Sequence, residues 1–153
     1  MKIISNLVEA HVFRDTVTGI EFLLLKRAMD QSYPGIWQMV SGKIKENERA
    51  YETAVRELIE ETGLEPQKIW SVPTVNSFYY SKLDTINLIP VFAIKVDKQS
   101  TVRISYEHSE FNWVSLDETQ KLLAWNGQRQ AARLIEEYYM QELNYLNFIE
   151  IKL

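Results

Sequence analysis

The chain has 153 residues, of which 46% are hydrophobic and 25% charged, and its formal net charge is −4. That length and apolar share suffice for one compact domain with its own core, and the acidic balance argues against a nucleic-acid wrapper, which would carry a basic stripe. The chain has no cysteine, which excludes disulfides, thiolate zinc sites, iron–sulfur clusters and a cysteine nucleophile.

Strand-like stretches come first, Ile3 to Phe13 and Glu21 to Lys26, separated by Asp15-Thr16-Val17-Thr18-Gly19. These turn residues predict a hairpin. The first stretch carries Asn6, Glu9 and His11 and so lacks a secretory apolar segment. The longest apolar run, Leu88 to Ile94, is too short to cross a bilayer. A soluble, cytoplasmic protein with no membrane partner is the expectation.

Arg27 to Gly35 is polar and contains Pro34-Gly35, which predicts a loop. Ile36 to Val40 reads as a short strand ending at Ser41-Gly42. The clearest helix runs from about Ala50 to Thr62, where Tyr51, Ala54, Val55, Leu58, Ile59 and Thr62 form one apolar face. Gly63 stands where a helix C-terminal glycine belongs. Further strands are expected at Ile69 to Tyr80, Thr85 to Val96 and Phe111 to Val114. Ser115-Leu116-Asp117-Glu118 is a capping box that opens a helix. A longer helix follows from about Gln128 to Leu143, with Ala131, Leu134, Ile135 and Tyr138 as its stripe. The tail from Asn144 to Leu153 is apolar and β-like. Mixed strands with interspersed helices imply a single α/β (α+β) domain built as a sandwich.

The helix over Ala50 to Thr62 also carries Arg56, Glu57, Glu60 and Glu61, with Glu48 just upstream. Residues three and four apart are neighbours on a helix, so Glu57 faces both Glu60 and Glu61, a repulsive arrangement. Clustered carboxylates make sense if a hard divalent cation sits among them, because magnesium prefers oxygen ligands. Arg56 is placed to pair with Glu60 one turn on. An isolated E-x-x-E-E would more simply be a solvated face with one ion pair, so the flanking residues decide.

From Gly42 to Leu64 the chain reads GKIKENERAYETAVRELIEETGL. Gly42, Glu48, Arg56, Glu57, Leu58, Glu60, Glu61, Gly63 and Leu64 fill every defined position of G-x5-E-x7-R-E-U-x-E-E-x-G-U, where U is apolar. At typical residue frequencies a chance match is on the order of 10⁻⁹ per window. The segment resembles the Nudix box, and the strand pattern around it extends the resemblance over most of the chain. The resemblance implies a Nudix fold, an α/β/α sandwich with a mixed sheet in which the box forms a loop–helix–loop. It also implies metal-dependent hydrolysis of a nucleoside diphosphate linked to another group, with magnesium, or manganese in its place, as cofactor.

What the resemblance implies for single residues follows the box. Glu57 and Glu61 are expected as the main metal ligands. Glu60 is either a further ligand with a catalytic role or the partner that Arg56 orients. Glu48 supports the helix start or an outer water. Gly42 permits close backbone approach, which would bring a neighbouring carbonyl to a metal or simply make a turn. In many relatives a general base or extra ligand comes from a glutamate on a later loop, and here Glu107 is preferred, with Glu110 second. His108 is expected to be structural or substrate-facing.

For the substrate, Leu25-Lys26-Arg27, Trp37-Gln38-Met39-Val40-Ser41-Gly42 and Trp125 followed by Gln128-Arg129-Gln130-Ala131 resemble the dihydroneopterin triphosphate or nucleoside triphosphate branch. The third stretch has an extra residue and Gln128 in place of the usual asparagine. Lys26, Arg27 and Arg129 are candidates to meet phosphate oxygens, and Ser41 lies in the substrate loop. Trp37 or Tyr79 could stack on a base or pterin ring. The bland alternatives are a core Trp37 and a merely polar strand end. The expected partner is a nucleotide or pterin polyphosphate. ADP-ribose, nucleotide sugars and dinucleoside polyphosphates are alternative substrates, and a non-catalytic nucleotide-binding module is the rival of another class. A homodimer, with the aromatic tail Tyr138 to Phe148 packing on itself or a partner, is left open.

Overall fold

The structure, a computed structural model, describes residues 1–141 and 145–153. Its elements are β1 (Lys2–Ile4), β2 (Leu7–Asp15), β3 (Ile20–Arg27), β4 (Trp37–Gln38), β5 (Val40–Lys43), α1 (Ala50–Thr62), β6 (Lys68–Tyr80), β7 (Thr85–Lys95), β8 (His108–Val114), α2 (Leu116–Leu122), α3 (Asn126–Met140), a 3-10 turn (Tyr145–Phe148) and β9 (Glu150–Ile151). The strands join in one mixed sheet ordered β4-β3-β2-β7-β6-β9, with β1 on β7, β5 on β2 and β8 on β3.

The expected first strand is two. β1 and β2 both run parallel to β7, at Lys2–Ile4 against Thr85–Asn87 and at Glu9–Phe13 against Val91–Lys95. Pro90 lies between those two registers and has no N–H for the ladder. β6 and β7 form the long hairpin, and its pairing shifts between Ser71 and Val75. That stretch contains Pro73, the residue a bulge accommodates. The expected strand Ile36 to Val40 is likewise split, into β4 pairing β3 and β5 pairing β2.

Every residue from Val8 to Phe13 is buried, which requires both faces of the sheet to be covered. Side chains alternate between those faces. Val8, Ala10, Val12, Leu23 and Leu25 pack with Ala54 and Leu58 of α1. Phe13, Ile20, Phe22 and Trp70 pack with Ala131, Ala132 and Ile135 of α3. Leu24 and Val114, partnered by Leu122 of α2, extend the second face. The α/β/α sandwich is therefore what the alternation in β2 and β3 builds.

α1 spans its expected residues and ends on Gly63, whose φ of 70° is the left-handed turn that a glycine takes without strain. Its buried face differs from the expected one. Ile59 is 41% exposed, while Thr53 and Glu61 are buried. α2 is capped by Ser115, whose Oγ accepts from the Glu118 N–H. α3 begins two residues before expectation, and Leu143 and Asn144 lie outside the described residues. The tail folds back on its own chain: Leu146 and Ile149 pack on the α3-side core, and Glu150–Ile151 pair with β6.

Candidate active site

Four box side chains expected on one outer face of α1 are in fact divided between two environments. Arg56 faces outward as a hub. Its guanidinium donates to Glu48 (2.7 and 3.0 Å), to Glu57 Oε1 (2.8 Å), to Glu60 Oε2 (3.2 Å) and to the Lys43 carbonyl (3.0 Å). The Arg56–Glu60 pair is thus one of several, and Glu60 is half exposed beside it. Glu48 also accepts from the Thr53 hydroxyl and the Lys45 N–H. Its hydrogen bonds with Arg56, then Thr53, hold its carboxyl down at about 2. These bonds stitch the loop before α1 to the helix.

Glu57 and Glu61 turn the other way, toward β5. The Glu57 side chain lies on Gly42, where any Cβ would collide with its carboxyl end. Glycine at 42 is therefore required by Glu57. One residue earlier, the Ser41 N–H donates to Glu61 Oε2 at 3.3 Å. Glu61 is only 3% exposed. Burial, with the negative charges of Glu57 and Glu107 added, pushes its carboxyl up to about 9. Burial raises Glu57 as well, against the Arg56 guanidinium, with Glu60 and Glu107 again contributing repulsion.

Glu107 precedes β8, and its charge reaches both helix carboxylates. Its own carboxylate is 3.8 Å from Arg27 Nη1. Glu110, the second candidate, points away, 58% exposed and paired with Lys26 at 3.1 Å. His108 is buried and its Nε2 meets Gln38 Nε2 at 2.9 Å. An amide nitrogen can only donate, so that ring nitrogen accepts and the imidazole is neutral. Burial accordingly lowers His108 to about 4. Its buried Nδ1 has no hydrogen-bond partner.

Among the described residues no three carboxylate or histidine side chains already converge as a metal cage. Glu57, Glu61 and Glu107 nevertheless form a desolvated, mutually repelling set of oxygen donors. Such a set fits a magnesium ion, which keeps several waters and takes few protein ligands.

Between β6 and the start of α3 lies a cleft of about 700 Å³. Tyr79, Tyr33, Phe78 and Trp125 line it, and Glu9, Asn76 and Gln128 supply its polar groups. The Tyr33 and Trp125 rings meet edge-on at 6.2 Å. A smaller recess of about 200 Å³, bounded by Glu9, Ser41, Gly42 and Gln128, lies between this cleft and the box loop.

The other substrate candidates are differently placed. Trp37 packs with Leu24, Met39, Val114 and Leu123, below the Lys26 ammonium at 6.0 Å, and does not line the cleft. Arg129 is bonded to the carbonyls of Leu123 (2.7 Å) and Ala124 (3.3 Å), where it closes the end of α2. Arg27 is anchored on Ser32 through both its carbonyl and hydroxyl at 3.0 Å. Sequence reasoning missed Glu9, Asn76 and Gln128 as a polar cluster. Its signal was Glu9 itself, a carboxylate in the buried Val8–Phe13 stretch of β2, where His11 is the other polar residue.

Comparison with known proteins agrees with this geometry. The NUDIX domain family matches residues 8–137. The asymmetrical bis(5'-nucleosyl)-tetraphosphatase of Rattus norvegicus is 33% identical over 109 residues, which are 69% of this chain and 71% of that protein. The octanoyltransferase of Myxococcus xanthus is 30% identical over 118 residues, 72% of this chain, and the match spans 31% of that longer protein. A Listeria monocytogenes structure assigned as a NUDIX hydrolase superposes with a TM-score of 0.74 at 28% identity, covering 88% of this chain and 93% of that one. With its box complete and the fold around it shared, the chain belongs to the NUDIX domain family and is a Nudix hydrolase acting on phosphoanhydride bonds.

Proposed function

We propose that the chain hydrolyses a nucleoside or pterin triphosphate, releasing pyrophosphate and a monophosphate, with magnesium as its cofactor and manganese as a substitute. The observation that carries this reading is the β5 loop: Ser41 and Gly42 contact Glu61 and Glu57, and they bound a recess that shares Glu9 and Gln128 with the aromatic-lined cleft. A single flat ring fits the cleft, and its phosphates would reach the box past Ser41 and Gly42. Glu57 and Glu61 would hold the metal, with Glu107 as third carboxylate and the backbone at Gly42 close by. Bound there, the ion supplies charge neutralisation of phosphate oxygens and an acidified water.

The chain's own groups do the rest. Arg56 fixes the Glu57 carboxylate and keeps Glu60 on the outer side. The Ser41 N–H orients Glu61. Glu107 would take a proton from the attacking water if it does not itself hold the metal, and Arg27, 3.8 Å from it, would meet a phosphate oxygen. The Rattus relative favours a second reading, a dinucleoside polyphosphate, whose second base would lie outside the cleft.

A magnesium-dependent phosphate-release panel tests this, using nucleoside triphosphates, dihydroneopterin triphosphate, dinucleoside polyphosphates and ADP-ribose. A triphosphate is expected to be turned over best, and Glu107→Gln to be slower by about 10²-fold or more. A dinucleoside polyphosphate in first place would transfer the assignment to the second reading. Silence across the panel from folded protein would sink both.

A further inference from the structure

Glu9 is the most unusual residue in the sheet. It lies on β2 between Val8 and Ala10, 5% exposed, and its register partner is Ser41 of the box loop. Glu9 Oε1 accepts from Asn76 Nδ2 at 3.0 Å and from Gln128 Nε2 at 3.4 Å. Glu9 Oε2 and Gln128 Oε1, both buried, have no hydrogen-bond partner. Buried polar groups in folded proteins are almost always hydrogen-bonded, and here two side chains that bond to each other and line one cleft each keep an unpaired acceptor.

The arrangement is held from outside. Asn76 Oδ1 accepts from the Ser77 N–H at 3.0 Å. A Cβ at Gly127 would collide with that oxygen, so glycine there makes room for Asn76. Gln128, next in the chain, must turn its Nε2 toward the Glu9 carboxylate, because its own oxygen would be repelled. Its Oε1 is thereby left for another donor. A cluster serving only to tie β2, β6 and α3 together would not need the two spare acceptors.

We propose that Glu9 Oε2 and Gln128 Oε1 select the ring bound in the cleft by accepting from two neighbouring donors, an exocyclic amino group and the ring N–H beside it. Guanine and pterin rings present that edge. Adenine and cytosine set their amino group next to an acceptor nitrogen, which a carboxylate oxygen repels, and uracil offers one N–H between two carbonyls. The flat ring would lie against the Trp125 and Tyr33 side of the cleft. This specificity deepens the triphosphate reading and rests on it for the nature of the ligand. The balance of acceptors also explains why a carboxylate is buried where an amide would complete the local hydrogen bonds at lower cost.

The test is a binding titration by tryptophan fluorescence, without metal or turnover, using GMP, IMP and neopterin. GMP and IMP differ by the 2-amino group alone. Wild type is expected to bind GMP on the order of tenfold more tightly than IMP. Glu9→Gln, which keeps the shape and turns the Oε2 position into a donor, is expected to erase that preference and weaken neopterin by a similar factor. Gln128→Met, which removes one acceptor, should lose part of the preference and serves if Glu9→Gln does not fold. Equal affinity for GMP and IMP in wild type, with neopterin unmoved by either variant, would overturn the proposal and leave a water-satisfied structural cluster. A protein that shows the GMP preference but hydrolyses no triphosphate would keep this inference and remove the functional reading. One that hydrolyses GTP and ITP alike, with equal GMP and IMP binding, would do the reverse.

Discussion

Glu61 and Arg56 illustrate opposite uses of charge within five residues of one helix. Glu61 is buried beside the negative charges of Glu57 and Glu107, which together with burial outweigh the Arg27 charge and push its carboxyl up to about 9. Replacing it by glutamine therefore removes little that the metal-free fold depends on. Glu61→Gln is expected to lose turnover by at least about 10²-fold while its melting temperature in chelator is unchanged or raised. Near-normal activity would remove Glu61 from the metal set. Arg56 is different, because Glu48, Glu57 and Glu60 all converge on it. Arg56→Ala leaves those carboxylates facing each other. Chemical denaturation should show a loss of about 2 kcal/mol or more, and a loss below about 0.5 kcal/mol would show the hub to be ornamental.

At the scale of elements, apolar spacing and Gly63 locate α1 at about Ala50 to Thr62, which are the residues it spans, because both signals are local chemistry. Gly63→Ala is expected to cost about 1 kcal/mol through the φ of 70° alone. The nearest atom to the new Cβ would be Arg103 Cβ at 3.5 Å, an ordinary contact, so a much larger loss would contradict a purely conformational cost. What the sequence could not give was the direction in which α1 faces. Periodicity treats Glu61 as polar and Ile59 as apolar, so it turned the helix outward by its carboxylates. The structure buries Glu61 against β5, where it accepts from the Ser41 N–H, a contact made across twenty residues. The substrate side was harder still. Trp37, Arg129 and Trp125 look alike in a one-dimensional reading, yet the first two are absorbed by α2 and its neighbours while Trp125 reaches the cleft. Element boundaries set by tertiary pairing, such as the breaks between β1 and β2 and between β4 and β5, left no local mark apart from Pro90.

For the whole molecule, buried ionisable groups set limits on both sides of neutral pH. His11 is 1% exposed, edge-on to Phe22, and burial lowers it to about 4. The unfolded chain takes up that proton near 6.5, so stability is complete above 6.5 and is lost as pH falls toward 4, by up to about 3 kcal/mol. Glu61 acts in the opposite sense. Its folded form holds a proton that the unfolded chain releases near 4.5, so its contribution is lost as pH rises through about 9. Melting temperature in chelator should therefore peak between these limits, and Glu61→Gln should flatten the alkaline limb. Because Glu61 and His108 titrate over the same window, the diagnostic is a variant: an acid limb whose slope His11→Phe leaves unchanged would show His11 to be solvated in the folded state.

The four residues of β5 serve both halves of the molecule at once. Ser41 lies opposite Glu9 and gives its N–H to Glu61, while Gly42 lies opposite Val8 and receives Glu57. Since the side-chain period of a strand is two, inserting or deleting a single residue here would put a side chain into Glu57 and move the box loop off the cleft together. The neighbouring loop between β3 and β4 is tied down differently, by Ser32 on the Arg27 guanidinium and by Tyr33 against Trp125. Length variation in this chain is thus confined by geometry: in β5, counting residues is equivalent to keeping Ser41 on Glu61 and Gly42 on Glu57.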